Sequence, residues 1–159
     1  MNDLNQELME LKEKLKGYED LIKQLSAPII PSIVPNAFLV PLNGILSVER
    51  FHHIQETIVN GIAREKADTV LIDFTGISSL EVEDSMGYQL LNEKINDLVN
   101  ALNLMGVETL FVGFSPKFAQ NLILSNGSNL VNIKAYDKFK TGLQYLLDKK
   151  GLEIRKKGE

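Results

Sequence analysis

The stretch Thr69–Gly87, TVLIDFTGISSLEVEDSMG, decides how this chain is read. Val70-Leu71-Ile72 is an all-apolar run, the pattern of a strand buried at the centre of a sheet. It ends at Asp73, a Thr-Gly turn follows, and an acidic loop then opens into a helix at Asp84-Ser85-Met86-Gly87. A helix that starts just past a strand presents unpaired N–H groups and the positive end of its dipole. A serine at that place can cap the helix, or it can receive a phosphate that the helix end holds. Ser85 is that serine.

Strands and helices alternate on both sides of this stretch. Pro28, Pro31, Pro35 and Pro41 punctuate two short strands, about 29–34 and 37–42, and prolines so dense belong at a sheet edge. Ser47 or Leu46 leads a helix with Val48, Phe51, Ile54, Ile58 and Ile62 on one face. From about Val82 to Met105 the spacing of Met86, Leu90, Ile95, Leu98, Leu102 and Met105 predicts one continuous helix, closed by Gly106. Val107 to Gly113 is a second buried strand. Pro116 opens the next helix, which Asn126-Gly127 ends. A last strand near Val131 to Ala135 precedes a helix from Asp137, its cap, to about Lys149. Alternating elements of this kind predict an α/β domain with a largely parallel interior.

The first 25 residues are a separate unit. Leu4, Leu8, Leu11, Leu15, Tyr18, Ile22 and Leu25 alternate spacings of four and three, a heptad seam. In this register Glu7 would face Lys12 and Lys14 would face Glu19 across a parallel pair, with opposite signs. The alternative is a single amphipathic helix lying on its own domain. The expected organisation is a heptad helix over 1–27, an α/β domain over 28–150 and a basic tail over 151–159.

Composition excludes several functions. The formal charge of −4 and hydrophobic content of 44% describe a globular protein without the basic face of a nucleic-acid binder. No apolar run approaches a membrane span, and the charged N-terminus is not a secretory h-region. Zero cysteines exclude disulfides and a thiolate nucleophile, which fits a cytoplasmic protein. Asn126-Gly127-Ser128 reads as a turn rather than a glycosylation site. His52 and His53 are adjacent on a helix, so they cannot chelate together; one is expected half-buried and the other exposed. Asp73 reads as a turn-forming side chain bonding nearby N–H groups. No Gly-rich phosphate loop, nucleophile elbow, metal site or cofactor site is present in the pattern. The expectation is a binding module, not an enzyme.

The runs VLIDFTGI, ETLFVGFSPKFAQNLI and NGSNL resemble a STAS domain, and among STAS proteins they are most similar to the C-terminal half of RsbR-type stressosome proteins. The similarity covers about 28–149. It implies a mostly parallel sheet with helices packed mainly on one side and no chemistry of its own. It also implies binding to sister STAS proteins and to a serine kinase of the anti-sigma type. In that family a Ser or Thr after an Asp at the start of the second helix accepts phosphate, so Ser85 is the phospho-acceptor candidate. Glu81, Glu83, Asp84 and Met86 are then candidates for the partner-binding loop. Two departures stand out: an ungapped count lands on Glu81-Val82 instead of Asp84-Ser85, and Asn121 follows Ala119-Gln120 where a second acceptor threonine is common. A helical linker joins such domains to a sensor, and the heptads match it, with a homodimer formed through the helix. Sensing is then expected from a longer parent protein or from a partner.

Three functions follow from this reading. The first is a stressosome-type signalling scaffold in stress-response control. The second is a stand-alone anti-sigma factor antagonist switched by phosphorylation. The third is a small-molecule or nucleotide-binding α/β module using the loop–helix ends as an anion site.

Overall fold

The computed structural model describes residues 2–25, 28–125 and 133–158, with the side chains of 19–25 and of Glu81 also outside the description. The expected helix end at Asn126-Gly127, the Asn126 sequon and the start of the last strand at Val131 lie outside the described residues, as do the side chains of Ile22 and Leu25. Among the described residues the chain forms α1 (Asn2–Leu25), β1 (Ile30–Pro31), β2 (Ala37–Asn43), α2 (Val48–Glu65), β3 (Thr69–Gly76) and α3 (Ser79–Asp84). It continues through α4 (Tyr88–Leu104), β4 (Glu108–Val112), α5 (Pro116–Ser125), β5 (Lys134–Tyr136) and α6 (Phe139–Lys149).

The strands lie in the order β1-β2-β3-β4-β5, with β1 antiparallel to β2 and the rest parallel. The apolar run Val70-Leu71-Ile72 occupies the middle strand, where Ile72 pairs with Val40 on one side and Phe111 on the other. Side chains alternate across a strand. Val70, Ile72 and Phe74 therefore enter the main core beneath α2, α4 and α5, while Leu71 joins Leu110, Leu146 and Leu147 beneath α6. Three long helices on one face and one on the other is the expected mostly one-sided packing. Pro41 sits in β2, an interior strand, but β1 pairs only with Phe38 and Leu39. Pro41 lies beyond the two residues that β1 pairs, so on that side of β2 it interrupts no ladder.

Three local expectations are corrected. The helix predicted from Val82 to Met105 is two helices, because the Val82 carbonyl accepts from the N–H groups of Ser85 and Gly87 and closes α3. Gly87, at φ +77, then turns the chain into α4. Helical spacing of apolar residues persists across this break, which is why periodicity alone joins the two pieces. Asp137 does not cap the last helix; Lys138 occupies that position with no side-chain cap bond, and α6 begins at Phe139. Val48 is 42% exposed, whereas Phe51, Ile54, Ile58 and Ile62 are buried as expected. The buried face of α2 starts one turn later.

Candidate functional site

The C-terminal ends of β2, β3 and β4 form one rim of the sheet, and α2, α3 and α5 leave from it. Ser47 caps α2 by accepting from the Arg50 N–H at 3.1 Å, and Ser115 caps α5 by accepting from Phe118 at 3.1 Å. Pro116 follows in the first turn of α5, where its missing N–H costs nothing. The strand does not end at Asp73 as expected but runs on to Gly76, and within it Asp73 Oδ1 accepts from the Thr75 N–H at 2.8 Å and the Thr75 hydroxyl at 2.5 Å. Gly113 at the end of β4 lies so close that an added Cβ would stand 2.4 Å from Thr75 N. The Gly44 N–H donates to the Gly76 carbonyl at 3.3 Å and ties the β2–α2 loop to the end of β3.

The predicted loop residues gather on this rim. Glu83, Asp84 and Ser85 are exposed, and Met86 is half-buried against the main core. Ser85 is not at a helix start. It follows the C-terminal end of α3, two residues before the Gly87 cap of α4. That end of a helix carries the negative pole of its dipole, so the expected dipole contribution to holding a phosphate falls away. Val82, which an ungapped count places at the acceptor position, is buried at 1% exposure. The turn rests on an aromatic floor. Tyr88 meets Phe118 edge-on at 5.5 Å, and Phe118 meets Phe114 at 4.9 Å. Phe114 in turn meets Phe74 at 5.2 Å.

Sequence reasoning missed two features of the rim. Leu80 on α3 and Ile45 in the β2–α2 loop stand 66% and 61% exposed, apolar side chains just beyond the Gly44–Gly76 bond that joins the ends of β2 and β3. Buried Asn92 on α4 donates to the Leu122 carbonyl of α5 at 3.1 Å and accepts from Asn96 at 2.8 Å, which locks the two helices. A polar residue inside an apolar helical stripe was the available signal.

The opposite rim carries charge. Lys149 and Lys134 both bind the Glu108 carboxylate, Lys134 at 2.7 Å, and Lys150 binds Asp68 at 2.8 Å. These are more than a helix end favouring cations: they fasten α6 to the starts of β3 and β4. Burial alone would raise the Glu108 carboxyl, but hydrogen bonds from Lys134 and Lys149 outweigh it and hold the group below its ordinary value. Asp68 is likewise lowered, with burial opposed by hydrogen bonds from Lys150 and Thr69. The hydrogen bond to Glu108 raises Lys134.

His52 is exposed and pairs with Glu56 at 3.0 Å, while His53 is half-buried, as their adjacency required. Among the described residues no group of three His, Cys, Asp or Glu side chains could hold a metal, and no helix is long and apolar enough to cross a membrane. In α1, Leu4, Leu8, Leu11, Leu15 and Tyr18 stand between 49% and 64% exposed. That part of the seam does not lie on its own domain.

The STAS domain profile matches residues 25–141. This chain belongs to the STAS domain family. It is 30% identical over 138 residues to the RsbT co-antagonist protein RsbRA of Bacillus subtilis, covering 87% of this chain and 47% of that protein. It is 32% identical over 124 residues to a blue-light photoreceptor of Listeria monocytogenes, covering 78% of this chain and 46% of the relative. The chain therefore spans about half the length of these relatives. In fold it matches a Moorella thermoacetica RsbS variant with a TM-score of 0.61 at 16% identity, over 79% of this chain and 98% of that one. The likeness to RsbR-type proteins read from the sequence holds, and the STAS-like α/β fold with it. The homology supports a signalling role of the STAS type.

Proposed function

We propose that this chain is a non-enzymatic signalling scaffold of the stressosome type that binds sister STAS proteins and a serine kinase of the anti-sigma type. The observation that carries this reading is the pairing of a STAS domain with a heptad helix whose apolar seam faces solvent. An exposed seam of this kind needs a partner helix. The matched charges at Glu7 with Lys12 and at Lys14 with Glu19 select a parallel second copy. Residues 1–27 then serve as the dimerising linker, 28–150 as the STAS domain and 151–159 as a basic tail. The description of RsbRA as an RsbT co-antagonist supports a protein partner. The docking surface is α3 and the turn after it, with Glu81, Glu83, Asp84 and Met86, to which Leu80 adds an exposed apolar side chain. Mixing the full chain with a sister STAS protein and sizing the product by sedimentation tests the reading. A large co-assembly is expected, and two separate boundaries at every ratio would defeat it.

A second reading is favoured by the exposed Asp84-Ser85-Met86-Gly87 turn: a stand-alone anti-sigma antagonist switched at Ser85. Phosphate adds about −1.5 to −2 charge. Residues 77–87 contain no Lys or Arg to meet it. Modification would repel the neighbouring Glu83 and Asp84 and disrupt a partner interface. Ser85→Asp should weaken kinase binding in titration calorimetry with little change in melting. Peptide mapping after incubation with the kinase and ATP decides whether Ser85 is an acceptor. An unmodified Ser85, under conditions that phosphorylate a sister STAS protein, leaves the constitutive scaffold.

A further inference from the structure

Two lysines meet one carboxylate on the rim opposite the acidic turn. Lys134 holds Oε1 of Glu108 and Lys149 holds Oε2. An ammonium group has three N–H donors. Lys134 gives one to Glu108 and one to the Tyr145 hydroxyl at 2.7 Å, while Lys149 gives one to Glu108. Among the described residues, donors are therefore left over on both ammonium groups. One lysine would neutralise Glu108, so the cluster carries a surplus positive charge.

Beside this cluster lies a cavity of about 360 Å³, bordered by Lys134, Lys149 and Glu108 and walled by Val99 of α4 and Ile133. Val99 is buried and Ile133 packs against the main core, so the wall is apolar. Small-molecule sites span about 300–1,000 Å³, and a cavity of about 150 Å³ already admits benzene. Thr109 of β4 also lines the cavity. It is 6% exposed, and its buried hydroxyl has no hydrogen-bond partner among the described residues. Such a hydroxyl is costly, whereas valine fills the same shape without that cost. A step of about 120° in χ1 brings the hydroxyl to the place of its own methyl, the other staggered position open to it.

We propose that this cavity binds a small organic carboxylate. Its apolar body lies against Val99 and Ile133, and its oxygens accept from the spare N–H groups of Lys134 and Lys149 and from the turned Thr109 hydroxyl. The single surplus charge matches a monoanion. Glu108, held in place by both lysines, would repel a second negative charge.

Hexanoate is the probe, and 1-hexanol is its neutral counterpart of equal chain length. Each is titrated into the isotope-labelled full chain, and backbone amide signals are followed. Hexanoate should produce saturable shifts at Asn103, Thr109 and Lys134, which surround the cavity, and 1-hexanol should bind there at least about tenfold more weakly. Lys149→Gln leaves Lys134 on Glu108 and should weaken hexanoate by about tenfold, the factor carried by one hydrogen bond between charged groups at a half-exposed site. Lys149→Arg should restore it. Thr109→Val should weaken hexanoate by about fivefold, yet melt no lower than the parent in the free state, because it loses an unbonded buried hydroxyl. If the lysines serve only to fasten α6, Lys149→Gln will lower the melting temperature and leave no hexanoate response to lose. Absence of saturable shifts, equal binding of 1-hexanol, shifts confined to the exposed leucines of α1, or unchanged affinity in Lys149→Gln and Thr109→Val overturns the proposal. No partner protein enters this measurement, so it stands or falls apart from co-assembly with a sister STAS protein.

Discussion

Gly113→Ala perturbs the rim at its tightest point. The residue adopts φ +83, a conformation costing an L-residue about 1–2 kcal/mol. Its new Cβ would also meet Thr75 N at 2.4 Å, Thr75 Oγ1 at 2.5 Å and Asp73 Oδ1 at 2.8 Å. The Asp73–Thr75 bond near the end of β3 must then shift, and a hydrogen bond to a charged group contributes about 1.5–3 kcal/mol. Thr75 is solvent-exposed, which keeps this share near its lower end. The total is about 3 kcal/mol. For a chain of this size that corresponds to a fall in Tm of about 6–12 °C. Gly106→Ala is the control, since Gly106 has φ +76 but nothing within 4 Å of an added Cβ. It should show the strain alone, about 1–2 kcal/mol. Thermal and urea unfolding followed by circular dichroism measure both. Equal losses in the two variants would refute the claim that close packing of Gly113 against Asp73 and Thr75 of β3 builds this rim.

Leu11→Lys with Leu15→Lys should leave the STAS domain folded and the chain monomeric, since each buried seam leucine contributes at most about 1.5–3 kcal/mol to association; a retained dimer mass in sedimentation would contradict the coiled coil. Glu108 and Asp68 have folded carboxyls below their unfolded values, so their stabilising contribution is present above the ordinary carboxylate range and is lost as pH falls through the lowered folded values. Urea midpoints should therefore drop on acidification below about pH 4, and Glu108→Gln should flatten that drop. Lys134 is raised, so its contribution is present below the ordinary lysine value and is lost only as pH rises through the raised one. Asn92→Ala removes the buried tie from α4 to the Leu122 carbonyl of α5, which keeps its bond from the Ser125 hydroxyl, and should cost about 0.5–1.5 kcal/mol in urea unfolding.

The order of strands and helices was legible because burial imposes a period. Val70-Leu71-Ile72 reads as a doubly covered strand, and it is the middle strand of the sheet. Phe51, Ile54, Ile58 and Ile62 keep the spacing of a buried helix face, and they form one. The heptads of α1 were equally plain, and Leu4, Leu8, Leu11, Leu15 and Tyr18 fall along one helix with their side chains in solvent. The bond that the Asp73 carboxylate accepts from a nearby backbone N–H was readable too, but not that β3 continues past Asp73 to Gly76.

The site was less legible. Periodicity runs through Ser85-Met86-Gly87 unbroken, because Met86 packs against the core just as a helical residue would. Only the three-dimensional path, with the Val82 carbonyl closing α3 and Gly87 at positive φ, separates two helices and moves Ser85 from a helix start to a helix end.

By itself the sequence determined what a one-dimensional pattern encodes: which residues avoid water, at what period, and where prolines and glycines interrupt them. Those are local properties of each segment, felt before any tertiary contact forms. The tertiary structure alone decided which distant groups meet. Ile29 on Gly61, Gly113 against Thr75, and Glu108 between Lys134 and Lys149 join residues 26 to 41 positions apart. No local preference selects such pairs. They arise because the parallel sheet brings strand ends from separate βα units to common rims, and short-range contact acts on whatever the fold has placed there.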